Sequence, residues 1–347
     1  MKHAIQHRYG DDAAEVKCLT KSRKGMHSSI VFDSRFTCFV DTYSSRSKPP
    51  VVALCDINTG NVISTVYDAS TQKVTQNLLA RMKLVKPEIR KIRSFDDQDD
   101  LFMLTYKPDE KIHGKGPYPC IVSVYGGPHV QYVNEDWAST VDLRAQKLCQ
   151  SGYLVMRLDN RGSHRRGLKF ESKIRHNMGD LEVKDQVHGV RTLIKENLVD
   201  SKRVGMYGWS YGGYMSAMSI CRAPNVFRAT VAGAPVTSWR GYDTHYTERY
   251  MGLPQENAQG YKDSAVMSHV HKMRGKLLLI HGSIDENVHF HHTGRLIHAL
   301  NNAQKDYELL LFPNERHQPR GVKDRVYMEK RIFKFFRNEI MDCSTCC

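Results

Sequence analysis

The chain has 347 residues, 40% of them hydrophobic and 25% charged, an ordinary globular balance with length enough for a sizeable core or two domains. Its formal charge is +14, but Lys and Arg are spread along the chain and form no cluster, which argues for a solvated surface and against nucleic acid as a partner. No apolar run approaches the roughly 18 residues of a membrane span, the opening MKHAIQHRYGDD lacks the apolar stretch of a secretory leader, and nine scattered cysteines suggest no disulfide framework, so a reducing, cytoplasmic location is expected.

Residues 1–87 read as β structure. SSIVF, FTCFVDTY, VVALCDI and NVISTVY are short runs rich in β-branched and aromatic residues, separated by turn-rich pieces such as SSRSKPP and INTG. Four such strands in succession make up about one blade of a β-propeller, and no second copy of the pattern follows. The segment is therefore expected to be a partial propeller with its linker, a remnant of something larger.

From residue 88 to 347 the pattern changes. PCIVSVY, YLVMRLD, RVGMYG, FRATVAG, KLLLIHG and YELLLF alternate with segments of helical period. One predicted helix carries Val183, Val187, Val190 and Ile194 on a single face, and another Met328, Ile332, Phe336 and Ile340. Continuous apolar strands alternating with amphipathic helices predict an α/β domain with a largely parallel sheet covered on both faces. Sites in such sheets lie beyond the carboxyl ends of the strands.

The run RVGMYG leads into Gly208-Trp209-Ser210-Tyr211-Gly212 and then an apolar helix. G-x-S-x-G between a strand and a helix is the pattern of a nucleophile elbow, a sharp turn that exposes the serine hydroxyl and tolerates only glycine at its flanks. Serine is a weak nucleophile and needs a base, which needs an orienting acid, in the chain order Ser, acid, His. Asp285 follows KLLLIHG and His317 follows YELLLF, each just past a predicted strand end. Developing negative charge requires donors. The backbone N–H of Tyr211 is one candidate, and Tyr125, in the strand-end loop VSVYGGP, is the other, with Gly126 and Gly127 allowing close backbone approach. His289, His291 and His292 in NVHFHH lack the further ligands of a metal site, and the CSTCC tail lacks a second Cys pair. No metal and no cofactor is expected.

GWSYGGYMS, GGPHVQYVN, LDNRGSHRRGLKFE, AGAPVTSWRGYDTHYTERYMG, HGSIDENVHF and PNERH together resemble the prolyl oligopeptidase family of serine peptidases. They are most similar to its dipeptidyl peptidases, with VYGGP and PNERH closest to the cytosolic eight-and-nine branch. The resemblance is dense over residues 88–340 and weak over 1–87. It implies the α/β-hydrolase fold with a short N-terminal all-β remnant of a β-propeller. It also implies Ser210 as nucleophile, Asp285 as orienting acid, His317 as base, and Tyr125 and Tyr211 as oxyanion donors. Val236, Trp239, Tyr242, Tyr246 and Val288 match the pocket for the residue before the cut, proline by preference, and Asn287 matches a residue bonding the substrate carbonyl. Aromatic and branched walls suit a flat apolar ring.

Two departures from the family stand out. Family members carry a complete eight-bladed propeller whose acidic residues bind the substrate's free amine, and only the last blade is legible in this sequence. Pro319 in RHQPR stands where an aliphatic residue is usual and restrains the loop carrying His317. The expected activity is dipeptidyl peptidase-type hydrolysis of peptide substrates after proline or alanine. An acylaminoacyl peptidase or esterase on the same fold, and an inactive fragment serving as an interaction partner, remain as alternatives. Dimerisation through the hydrolase domain, common in the family, makes a homodimer an expectation.

Overall fold

The computed structural model describes residues 5–8 and 15–341, so the CSTCC tail lies outside the described residues. Two compact units divide the chain, one of residues 1–88 with 134–146, the other of residues 89–133 with 147–347.

In the first unit β1 (Ile5–Arg8) pairs antiparallel with β2 (Glu15–Cys18). A second sheet is the meander β3 (Met26–Phe32), β4 (Cys38–Ser45), β5 (Lys48–Asp56) and β6 (Val62–Asp68), every neighbour antiparallel. Period-two alternation turns one side of β4 and β5 inward, so Phe39, Ala53 and Cys55 pack with Leu19 into a small core. The buried Asp41 carboxylate is satisfied by His27 Nδ1 at 2.8 Å and Arg23 Nη2 at 3.1 Å. Strand β6 buries no residue, leaving Val62, Ile63, Val66 and Tyr67 exposed at a sheet edge. The stretch expected as linker contains helix α1 (Lys73–Met82), which also buries nothing. Residues 134–146 join this unit through side chains: Glu135 takes Arg46 Nε at 2.7 Å, and Thr140 Oγ1 donates to the Arg46 carbonyl at 2.7 Å.

The second unit is built on eight strands, β7 (Glu88–Arg93), β8 (Asp100–Tyr106), β9 (Tyr118–Val124), β10 (Leu154–Asp159), β11 (Val199–Trp209), β12 (Ala229–Gly233), β13 (Lys276–Gly282) and β14 (Glu308–Phe312). Their order across the sheet is β14-β13-β12-β11-β9-β10-β8-β7. Every pairing from β14 to β10 is parallel, as the apolar runs predict, and β9, β10 and β12 are buried at every residue. The antiparallel β8, with β7 beyond it, extends the sheet at one edge, and neither was among the predicted runs.

Five helices matter for the site: α2 (Leu181–Lys195), α3 (Tyr211–Arg222), α4 (Thr244–Met251), α5 (His291–Asn302) and α6 (Val322–Phe336). Met328, Ile332, Phe336 and Ile340 are all buried, as expected, although the last follows the end of α6. The buried face of α2 differs from the expected one. Val183 and Val190 are buried, but Val187 and Ile194 are only half-buried, and Glu182, Asp185, Gln186, Gly189 and Leu193 complete the face.

Those polar side chains are buried because they meet partners. Arg161, 1% exposed at the end of β10, gives Nε to Asp185 Oδ2 at 3.0 Å and Nη2 to Asp185 Oδ1 at 2.7 Å. Its Nη1 reaches Asp96 Oδ2 at 2.7 Å. The two carboxylates thus divide one guanidinium fork between them. Among the described residues the six cysteines are free thiols, and no helix is long and apolar enough to cross a membrane. Removing one partner of the Arg161 pair leaves buried charge uncompensated, so Asp185→Ala should lower unfolding free energy by about 3–5 kcal/mol, read from urea denaturation midpoints.

Candidate active site

Ser210 stands between β11 and α3 with φ 60° and ψ −116°, a conformation L-residues rarely hold. The surrounding glycines explain how the turn closes. A Cβ on Gly208 would overlap the Gly212 carbonyl, one on Gly212 the Val124 carbonyl, and one on Gly213 the Gly233 carbonyl. The Ser210 N–H donates to the Gly233 carbonyl at 2.8 Å, fixing the elbow to β12. The Ser210 hydroxyl is partly exposed and makes no hydrogen bond among the described residues. At the start of α3 the first amides have no intrahelical acceptor, so they face whatever lies beyond the elbow.

Asp285 follows β13, its side chain wholly buried. Its Oδ1 accepts the N–H groups of Asn287 and Val288, both at 2.9 Å, and its Oδ2 lies 2.7 Å from His317 Nδ1 and 3.2 Å from His281 Nε2. Burial alone would raise the carboxyl pKa, but the hydrogen bonds from His281 and His317 outweigh it and hold Asp285 well below the usual carboxylate range. The ionised acid therefore accepts the Nδ1–H of His317, which leaves Nε2 as the basic nitrogen.

The loop after β14 is tied down twice. Trp209 Nε1, beside the serine, donates to the His317 carbonyl at 2.7 Å. Glu315 accepts the N–H groups of Arg320 at 3.0 Å and Gly321 at 3.3 Å, closing the loop across Pro319. The proline is accommodated with the Asp285–His317 bond intact.

Tyr125 follows β9, with its ring 5.9 Å from that of Tyr211. Burial, with Tyr242 and Tyr250 nearby, pushes its hydroxyl up to about 12, so it stays a donor at neutral pH. The hydroxyl makes no hydrogen bond among the described residues. Gly127 sits against the Tyr211 ring, where a Cβ would come within 2.5 Å.

Val236, Trp239 and Val288 are buried, while Tyr242 and Tyr246 are half-buried. Trp239 stacks on Tyr246 at 6.0 Å and meets Tyr242 edge-on at 5.9 Å, and Tyr242 and Tyr246 meet edge-on at 5.4 Å. The exposed Asn287 accepts the Tyr242 hydroxyl at Oδ1, 2.7 Å away. The structure thus brings Trp239, Tyr242 and Tyr246 together and links them to the acid loop through Asn287.

The histidine run in NVHFHH has a structural use. His292 accepts the Thr237 N–H on Nδ1 at 3.2 Å and gives Nε2–H to the Gly241 carbonyl at 3.1 Å, holding the Trp239 segment. Burial, reinforced by His291, pushes it down to about 4, which keeps it neutral and fixes this tautomer.

Sequence reasoning missed several supporting residues. Asn160 gives Nδ2 to the Gly126 carbonyl at 2.8 Å and is itself held by Gln186 at 2.9 Å. The wholly buried His281 touches Asp285, Thr293 Oγ1 at 2.7 Å and the Val288 carbonyl at 2.7 Å. For Glu182, Asp185 and Gln186 on α2 the only signal was their i, i+3 and i+4 spacing beside an apolar stripe, a pattern usually read as solvent-facing.

The sequence profile of the prolyl oligopeptidase family matches residues 139–342. The chain belongs to that family. It is 37% identical to human dipeptidyl peptidase 8 over 327 residues, 91% of this chain and 36% of that one. It is 32% identical to human prolyl endopeptidase FAP over 294 residues, 84% of this chain and 38% of that one. Porphyromonas gingivalis dipeptidyl peptidase 4 superposes with a TM-score of 0.84 at 30% identity, covering 93% of this chain and 44% of that structure. The larger unit has the α/β-hydrolase fold, and a small all-β region precedes it. The chain spans little more than a third of these curated relatives.

The elbow geometry generates a direct test. Gly208→Ala forces backbone against backbone, so it should destabilise by about 1–3 kcal/mol or more and abolish reactivity at Ser210, measured by thermal unfolding and by uptake of a fluorophosphonate.

Proposed function

We propose that the chain is a serine peptidase of the dipeptidyl peptidase type, acting through an acyl-enzyme on Ser210. One observation carries the reading: the buried, ionised Asp285 lies 2.7 Å from His317 Nδ1, on a loop that Trp209 ties to the serine elbow. In this reading the larger unit is the peptidase domain, within residues 88–347. The four-stranded sheet of residues 1–87 is a terminal propeller blade, consistent with its exposed edge.

The steps follow from the groups in hand. Ser210 Oγ attacks the substrate carbonyl while its proton passes to His317 Nε2. Asp285 holds the ring and stabilises the imidazolium. The Tyr211 N–H and the Tyr125 hydroxyl donate to the oxyanion. His317 then returns the proton to the leaving amine, and water, deprotonated by the same ring, releases the acid. No cofactor enters.

Val236, Trp239, Tyr242, Tyr246 and Val288 form the pocket for the residue before the cut, and Asn287 bonds the substrate carbonyl. The walls favour proline or alanine, because a charged side chain would lose its water there without gaining a partner. The substrate is a peptide, and the proposed location is the cytoplasm. Edge strand β14 exposes Leu309 and Leu311, and α6 exposes Val326 and Tyr327, which favours a homodimer through the hydrolase domain.

Ser210→Ala should abolish fluorophosphonate labelling, and His317→Ala should lower turnover by about 10⁴-fold or more, since triad members act as a unit. Labelling that survives in the alanine variant would refute the elbow assignment. The acidic amine anchor of the family is not among the residues of this site, and losing such a contact is worth about 2–5 kcal/mol. Gly-Pro chromogenic substrates should therefore be cleaved weakly, and equally well with a free or an acetylated amine. A strong preference for the free amine would require an acidic group from elsewhere. Complete inactivity of a folded protein would favour the interaction-partner reading.

A further inference from the structure

Helix α2 begins with a buried carboxylate that the proposed chemistry does not use. Glu182 is wholly buried, and its two oxygens accept the Gly179 N–H at 2.9 Å each. Its Oε1 also accepts the hydroxyl of Tyr211, the residue after the serine, at 2.7 Å. One turn further along α3, the Tyr214 hydroxyl donates to the carbonyls of Met178 and Ser264, both at 2.9 Å. The first turn of α3 is thereby pinned by two phenols to residues 178–182. Gly179, with φ 81°, fits there because a Cβ would overlap the Tyr214 hydroxyl.

The Tyr211 ring is enclosed. Gly127 covers one part of it, Trp239 packs 5.4 Å away, and the Tyr125 ring 5.9 Å away. A shift of this ring moves its own backbone N–H and disturbs its two aromatic neighbours Tyr125 and Trp239. A carboxylate is an expensive way to hold a buried tyrosine if packing is all that is needed. Burial pushes Glu182 up to about 7, against the opposing pull of the Gly179 N–H and the Tyr211 hydroxyl.

We propose that Glu182 is a positioning residue for the oxyanion site, acting through the Tyr211 hydroxyl to set the backbone N–H that receives the developing charge. The proposal rests on the reading of Ser210 as nucleophile. A hydrogen bond to the far end of the ring converts a rotatable side chain into a strut, and the amide it braces must be placed to well under 1 Å to be effective.

The test is the rate of fluorophosphonate inactivation of the full chain, resolved into kinact and KI, for the parent, Glu182→Leu, Glu182→Gln, Tyr211→Phe and the Glu182→Leu/Tyr211→Phe double variant. Thermal midpoints are recorded alongside, and labelling is done well below them. Glu182→Leu and Tyr211→Phe should each lower kinact by about 10- to 100-fold with KI within about twofold. Glu182→Gln, which keeps an acceptor oxygen, should recover part of that loss. The double variant should be no slower than the worse single one, because both lesions remove the same bond. Should Glu182→Leu fail to fold, Tyr211→Phe, which loses one hydroxyl, decides the question. Lowered midpoints with unchanged kinact, or losses that multiply in the double variant, overturn the proposal. A folded parent that takes up no probe at Ser210 overturns the nucleophile reading and this proposal with it, whereas a reactive parent with unaffected variants overturns this proposal alone.

Discussion

Strand β11 and helix α3 meet with no side chain between them, and the rest of the larger unit is arranged around that contact. Gly208 faces the Gly212 carbonyl, Gly212 faces the end of β9, and Gly213 faces the end of β12. Backbone touching backbone leaves no soft atom to absorb an error, so the helix axis is set by the sheet. The residue at the crest is forced to a positive φ, and the strain is borne by the packing on either side. A serine held this way presents its hydroxyl at the carboxyl edge of the sheet, where the parallel strands β9, β13 and β14 also end.

These strand ends lead into loops, and loops need supports. Helix α2 supplies much of that support. Along one buried face Glu182 reaches the elbow, Asp185 reaches Arg161 beyond β10, and Gln186 reaches Asn160, which holds the Gly126 carbonyl beyond β9. Buried polar groups of this kind weaken a fold unless each finds its partner. Here the oxygens of Glu182 and Asp185 and the Nε2 of Gln186 are partnered, although Gln186 Oε1 has no partner among the described residues, and three loops are held to a single rigid element. His281 extends the same logic to the acid loop from within β13, bridging Asp285, Val288 and Thr293.

The first unit follows different physics. Its four-stranded sheet has a small core and an exposed final strand, and the buried Asp41 is hydrogen-bonded by His27 and Arg23. Sheets with uncovered edges invite pairing with other strands. The members of the family compared with this chain are more than twice its length.

The local features of the site were legible in the sequence because each depends on residues close along the chain. A glycine-flanked serine between an apolar strand and an apolar helix can fold in few ways, and Asp285 and His317 follow strands whose continuous apolar runs identify them. The six parallel strands were readable because their runs are mostly apolar, through burial on both faces in β9, β10 and β12 and in spite of partial exposure at the edge strand β14. The edge strand β7 was not, since Glu88–Arg93 is largely exposed and carries four charged residues against two isoleucines, whereas β8 is apolar enough to have been read and was not. The face of α2 was read through its valines because Glu182, Asp185 and Gln186 resemble solvent-facing residues until partners distant in sequence surround them. What the residues determined alone was therefore the glycine-flanked turn at Ser210, the chain order in which Asp285 and His317 follow it, and the strands that carry them. Which polar side chains are buried, and so which loops are held at what distance from Ser210, only the packed tertiary structure decided, because a buried charge is tolerable only once its counterpart has arrived.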